Sequence, residues 1–355
     1  MTRDEALQVL ASDEPLVEQD LTGIDFSGLN LRETVFSKCD LRGAKFDGTT
    51  GADALFDHCD MRGMDFSGAD LPSLVISECN LEDARFVEFK TKGASIIKSE
   101  ASRAAFMNAT LLDAVFMETR LSGASFYGAA LDGATFMQSD MDQVDIGGTS
   151  LQKTVFYEMD MTVLRTDGAN FNGAVFVECS LIGMNLSGLA FAGAQLNTAN
   201  LADANLSGAD LTQACLIGSN LNRTNLSLIT APLALFCESD MTGASLRGAA
   251  LKNANFQKAN LTEADLTEAS LPEAVLTEAN LTRATLYKAN LAYAVMGRAD
   301  LTETDMQDTD LTQTDLQQVV EKNTLWRGSN KNSARPEDTD LKEADGWTRK
   351  RAAGR

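Results

Sequence analysis

An apolar residue returns at every fifth position from Leu21 to Leu316. Counting in fives between those two centres gives sixty repeats with no register shift. Only Gly51, Thr91, Ala101, Thr166 and Ala231 place something other than Leu, Phe, Met or Ile at a centre. The run Ala254-Asn255-Phe256-Gln257-Lys258-Ala259-Asn260-Leu261 shows the rule: a small residue, then Asn or Asp, then a large apolar residue, then two free positions. An internal repeat this long outranks any local motif in deciding a fold. A period of five suits neither an amphipathic helix nor an alternating strand. It is accommodated if each repeat forms one side of a four-sided coil. Twenty residues then close a turn, and the array makes about fifteen coils at the interstrand spacing of about 4.8 Å.

Reading every twentieth residue tests this scheme. Phe26, Phe46, Phe66, Phe86, Phe106 and Phe126 fall on one side; Phe36, Phe56, Phe116, Phe136, Phe156 and Phe176 fall on the opposite one. Stacked rings on opposed walls are the expectation. Pro72, Pro232 and Pro272 share one slot, as a turn position of fixed φ would select. Gly28, Gly48, Gly68, Gly128, Gly148, Gly168, Gly188, Gly208 and Gly248 share one corner, as φ > 0 would select. Residues 88–103 and 228–236 strain the pattern, and a bulge or bend is open at either. Since neither shifts the register, no long inserted loop is expected.

The run Ala199-Asn200-Leu201-Ala202-Asp203-Ala204-Asn205-Leu206-Ser207-Gly208-Ala209-Asp210-Leu211 resembles the pentapeptide repeat family. The resemblance covers residues 21–316, tightly over 196–316 and more loosely over 21–195. It implies an all-β solenoid, a right-handed quadrilateral β-helix. It fixes function poorly, because members range from topoisomerase inhibitors to secreted effectors.

Residues 1–15 are expected to form an N-terminal cap, residues 16–316 the β-helix, and residues 317–355 a C-terminal cap and basic tail. Thr2-Arg3-Asp4-Glu5 fits a capping box ahead of a short apolar face, with Pro15 marking its exit. A cap is needed because an open solenoid end exposes both core and unpaired backbone. In the tail, Leu341 keeps the five-residue register, and Trp347 and Arg349-Lys350-Arg351 follow. An ordered cap is expected to about residue 347.

Formal net charge is −21, and residues 322–355 carry +4 of it, with nine Lys or Arg against five Asp or Glu. So acidic a body disfavours direct binding to nucleic acid or anionic membrane. No apolar run spans a bilayer and no export signal is read, so the expected location is the cytoplasm. Cys39, Cys59, Cys79 and Cys179 occupy the small position two before a centre and read as buried structural residues, with no metal and no cofactor.

The residue before each centre should point outward. On the side of centres 21, 41 and 61 these are polar, with an intermittent Asp row. On the side of centres 36, 56 and 76 they are apolar, and the residue after the centre often is too. The resulting wall comprises Val75, Ile97, Val115, Met117, Met137, Val155, Tyr157, Val175, Val177, Ile217 and Leu235, with an acidic rim of Glu118, Glu158, Glu178 and Glu238. An exposed apolar strip with a charged rim marks an interface, either for a protein partner or for a homo-oligomer. Cover by the C-terminal segment is the alternative.

Catalytic chemistry is absent from the pattern. His58 is the only histidine and assembles no Ser/His/Asp set, and no phosphate-binding or dinucleotide fingerprint occurs. The sequence therefore reads as a non-enzymatic interaction scaffold or adaptor. Family resemblance adds two alternatives. One is DNA mimicry against a type II topoisomerase such as DNA gyrase. The other is an adaptor or effector of a secretion system.

Overall fold

The computed structural model describes residues 1–12, 14–336 and 338. The expectations for Leu341, Trp347 and Arg349–Arg351 lie outside those residues. The fold is an all-β solenoid in which residue i pairs in parallel with residue i+20. Four ladders recur per turn, represented by Asp20↔Asp40, Asp25↔Lys45, Asn30↔Thr50 and Val35↔Leu55. The chain divides into two compact units, Met1–Gln195 and Leu196–Arg355.

Apolar centres point inward, where their surface leaves water. Their backbone groups still need partners, and the neighbouring turn provides them. Phe46 N–H donates to the Asp65 carbonyl at 2.7 Å, and Asp65 N–H to the Ala44 carbonyl at 3.1 Å. Even the weak centres Thr91, Ala101, Thr166 and Ala231 are buried. The two strained stretches contain no insertion: Val75↔Ser95 and Lys90↔Thr110 keep the twenty-residue register through the first, and Thr230↔Ala250 keeps it through the second.

The corners obey a stricter rule. Every fifth residue from Glu18 to Gly328 has φ between 47° and 79°, with Val163 the one exception. The expected glycine column is there, at φ 62–71°, but Glu, Lys, Arg and Asn hold the same conformation elsewhere. Where a tight turn closes the corner the cause is local: Ala44 N–H reaches back to the Leu41 carbonyl at 3.0 Å, which demands a left-handed third residue, here Gly43. Pro72, Pro232 and Pro272 stand immediately before such residues, where a fixed φ helps. Thr198 is β-branched yet adopts φ 57°, and its hydroxyl donates to the Asn197 carbonyl at 2.6 Å. Val163 has no hydroxyl to offer, and its slot is not left-handed.

In the first unit, α1 (Arg3–Leu10) is fixed by a reciprocal cap. Thr2 Oγ1 accepts the Glu5 N–H at 3.3 Å and Glu5 Oε2 accepts the Thr2 N–H at 2.7 Å. The helix seats on the first turn through buried Ala6 and through Arg3 Nε, 2.6 Å from the Asp25 carbonyl. Strands follow at β1 (Leu16–Val17), β2 (Val35–Ser37), β3 (Leu55–Asp57), β4 (Val75–Ser77), β5 (Lys90–Lys92), β6 (Ser95–Ile97), β7 (Thr110–Leu112), β8 (Val115–Met117), β9 (Thr135–Met137), β10 (Val155–Tyr157) and β11 (Val175–Val177). All but β5 and β7, which pair with each other, form one nine-stranded parallel sheet. Inside, the rings stack along each wall, with Phe36 and Phe56 4.7 Å apart and Phe106 and Phe126 4.6 Å apart. Between walls they meet edge to face, as Phe36 and Phe46 do at 5.8 Å. Each such contact contributes about 0.5–1.5 kcal/mol beyond area burial.

Where this sheet turns its corner, the backbone is too open for the tight-turn bond, and side chains substitute. Cys39 N–H donates to Cys59 Sγ, Cys59 N–H to Cys79 Sγ, Cys79 N–H to Ser99 Oγ, and Thr119 N–H to Ser139 Oγ, at 3.1–3.4 Å. Cys59, Cys79 and Ser139 in turn donate to a carbonyl of the turn before, as Ser139 Oγ does to the Phe116 carbonyl at 3.3 Å, whereas Ser99 Oγ donates to the Ile97 carbonyl at 2.9 Å. The cysteines are buried, as the sequence implies, but they also carry a hydrogen-bond ladder.

In the second unit that corner closes normally: Ser219 N–H reaches the Leu216 carbonyl at 3.2 Å and Ala279 N–H the Leu276 carbonyl at 3.1 Å. Alanine suffices there because no side-chain acceptor is needed. Leucine centres fill the interior, and asparagines stack outside it, with Asn220 Nδ2 3.0 Å from Asn200 Oδ1. Ladder pairing runs on past Leu316, with Met306 N–H to the Leu325 carbonyl at 2.8 Å. It then slips by one residue, since Gln313 N–H bonds to the Ser333 carbonyl beside a short 3-10 turn at Lys331–Ser333.

Candidate interaction surface

Parallel in-register pairing places the wall residues of the first unit on the outer face of its sheet. After the centre, Ile97 pairs with Met117, Met117 with Met137, Met137 with Tyr157, and Tyr157 with Val177. Before the centre, Val75, Val115, Val155 and Val175 line up, interrupted by Ser95 and Thr135. The expectation of an exposed strip needs correction in degree: every one of these side chains is half-buried. Neighbours one turn above and below, about 4.8 Å away, cover each other's flanks. What reaches solvent is a continuous band of side-chain tips.

In the second unit, Leu235 is half-buried and bridges Cys215 and Asn255, while Ile217 is 37% exposed. Asn255 ends the apolar row there.

The rim residues Glu118, Glu158, Glu178 and Glu238 are exposed, each in the left-handed corner slot. Gln138 Nε2 donates to Glu158 Oε2 at 2.5 Å. That bond, followed by one from the Tyr157 phenol, holds the Glu158 carboxyl below its ordinary range, and the hydrogen bond to Glu158 raises the Tyr157 phenol. The opposite edge of the first unit's band is low, with Gly93, Gly133 and Gly173 in the equivalent slots.

Elsewhere the surface is quieter. His58 Nδ1 lies 2.9 Å from Asp57 Oδ1 and its Nε2 3.0 Å from Glu78 Oε2, with the ring half in solvent. The hydrogen bond to Asp57 raises its pKa. Among the described residues no group of three or more His, Cys, Asp or Glu is arranged for a metal ion, and no helix is long and apolar enough to cross a membrane. The Asp row is interleaved with cations: Arg42 lies 2.5 Å from Asp40 and Arg62 2.6 Å from Asp60. Arg42 holds the Asp40 carboxyl at about 2.

Sequence reasoning missed several apolar residues off the wall. Leu228 is 69% exposed and Leu233 48%, both at left-handed corners, at φ 59° and 62°. Tyr127 and Tyr293 are also exposed. The signal was present in residues 228–236: large apolar side chains in slots that otherwise take Gly or polar residues.

A sequence profile described as "pentapeptide repeat region" matches residues 18–86. A second, "pentapeptide repeats (8 copies)", matches segments from 102–138 to 279–318. Together they span more than half of the chain. No curated protein matches it. Among solved structures, QnrB1, a plasmid-mediated fluoroquinolone resistance protein, is 22% identical over 44% of this chain and 88% of its own, with a TM-score of 0.28. HetL of Nostoc sp. strain PCC 7120, a pentapeptide repeat protein involved in heterocyst differentiation regulation, is 21% identical over 94% and 96%, at 0.19. A pentapeptide repeat protein of the Arabidopsis thaliana thylakoid lumen is 34% identical over 31% and 69%, at 0.23. A five-residue apolar period folded into twenty-residue parallel turns and matched by these profiles has one reading: the chain belongs to the pentapeptide repeat family.

Proposed function

We propose that this chain is a non-enzymatic interaction scaffold of the cytoplasm, with a right-handed four-sided coil of about fifteen turns as its frame and no cofactor. A protein partner or a second copy docks on the apolar wall. The observation that carries this reading is the band from Ile97 to Val177, apolar at its tips and edged by Glu118, Glu158 and Glu178. In the second unit, Ile217 and Leu235 with Glu238 are assigned a docking role of their own. The test is Val155→Lys with Val175→Lys, read by light scattering and by co-purification from the native host. Loss of a partner or of self-association is expected; unchanged assembly and partners would defeat the proposal.

DNA mimicry draws on the acidic net charge, but Arg42 and Arg62 interrupt the row it would need. A gyrase supercoiling assay with micromolar protein decides it, and no inhibition is expected.

A further inference from the structure

The two edges of the first unit's wall are unlike, and the difference specifies what fits between them. One edge carries the exposed carboxylates of Glu118, Glu158 and Glu178, in a column that over this band begins with Lys98 and includes Gln138. The other carries Gly93, Gly133 and Gly173; a Cβ at Gly93 would meet nothing within 4 Å, whereas Asp113 Oδ1 lies over Gly133 and Lys153 Cγ is 3.4 Å from where a Gly173 Cβ would sit. Between these glycines stand Lys153, which repels cations, and Asp113, 4.0 Å from Lys92 Nζ. The band from Ile97 to Val177 crosses five turns, about 20–25 Å at the interstrand spacing. At a width of about 10 Å that is a few hundred Å², short of the roughly 800 Å² per partner of a stable protein–protein interface. A second copy would find too little surface here alone. A helix of about 15 residues, at 1.5 Å each, matches the length.

Resting on the docking role proposed above, we infer that the first unit's wall receives an amphipathic helical segment of a partner protein, apolar on the face it buries and bearing Lys or Arg along one edge only. The apolar face covers Met117, Met137 and Val155, and the cations meet the three glutamates. At Gly93 the open edge lets the helix backbone approach closely. Rim charges of this kind set orientation and choice of partner more than raw affinity, and their effect weakens with salt.

The experiment is selection of displayed sixteen-residue helical peptides on the full-length protein, with the Val155→Lys/Val175→Lys protein as counter-target. Selected peptides are expected to combine an apolar stripe with a one-sided row of Lys or Arg. A synthetic peptide from the selection should lose about tenfold in affinity, by fluorescence anisotropy, against Glu118→Lys/Glu158→Lys/Glu178→Lys. Its Glu-for-Lys counterpart should bind that triple variant better than the wild type. Circular dichroism confirms that both variants fold. Peptides that need Val155 and Val175 but ignore the three glutamates overturn this inference and leave the docking wall standing. A selection yielding nothing dependent on Val155 and Val175 overturns both.

Discussion

The backbone N–H of Cys39 donates to Cys59 Sγ, 3.4 Å away in the next turn, and Cys59 Sγ lies 3.5 Å from the Phe36 carbonyl. One thiol thus serves two backbone groups that the open corner leaves without the usual turn bond. Cys59→Ala should strand both and cost about 1–3 kcal/mol, whereas Cys59→Ser should cost under about 1 kcal/mol. Ser219→Ala in the second unit is the control, because Ala199 N–H, one turn before it, already has the Leu196 carbonyl. Unfolding of a repeat array need not be two-state, so amide exchange at Cys39 should accompany denaturation. Equal losses from Cys59→Ala and Ser219→Ala would refute the ladder.

Burial also makes these thiols poor nucleophiles. It pushes Cys179 up to about 11, and Cys237, only partly covered, is also raised by desolvation. At pH 8 Ellman's reagent should modify Cys237 first and leave Cys39, Cys59, Cys79 and Cys179 untouched until denaturant is added, when six thiols titrate. Rapid reaction of two or more native thiols would contradict the structure.

Leu228 is held left-handed and lies over a glycine: a Cβ on Gly248 would sit 3.0 Å from Leu228 Cδ2. Left-handed backbone costs an L-residue about 1–2 kcal/mol. Leu228→Gly should therefore stabilise by up to about 1 kcal/mol despite the lost side chain. Gly248→Ala should destabilise, and less so once Leu228 is Gly. A double-mutant cycle measures that coupling, and a zero value would show that the two side chains do not share the space.

His58 gives the chain a single imidazole to follow by NMR. Its hydrogen bond to Asp57 is the main cause that raises it above the ordinary 6.5, with Glu78 adding to this. The charged ring's contribution to stability is fully present below the unfolded value and is lost as pH rises through the folded one. Asp57→Asn should bring the midpoint down further than Glu78→Gln does. A wild-type midpoint at or below 6.5 would show that the two carboxylates do not hold the ring.

How much was legible depended on whether a residue's role is set by its own size or by backbone geometry. Inward centres, the opposed Phe columns and the glycine corner follow from volume and from φ, and all three were readable. That Cys59 must accept an N–H was not, because nothing in the residues announces that this corner is open. The left-handed slots at Glu118 or Lys258 were hidden for a similar reason: the turn imposes φ, and an exposed polar residue tolerates it without recording it. The wall was located but its exposure overstated, since Met117 and Met137 shade each other across turns in a way that spacing alone does not convey.

The ladders also separate two kinds of insertion and deletion. Removing five residues keeps every centre inward, so the interior survives, yet it carries each later side chain round to the next face. Met117 would then face a different column. Removing twenty leaves both interior and columns in place. The core thus inherits in steps of five and the surface in steps of twenty, so a lineage that preserves a binding face can change length only by whole turns.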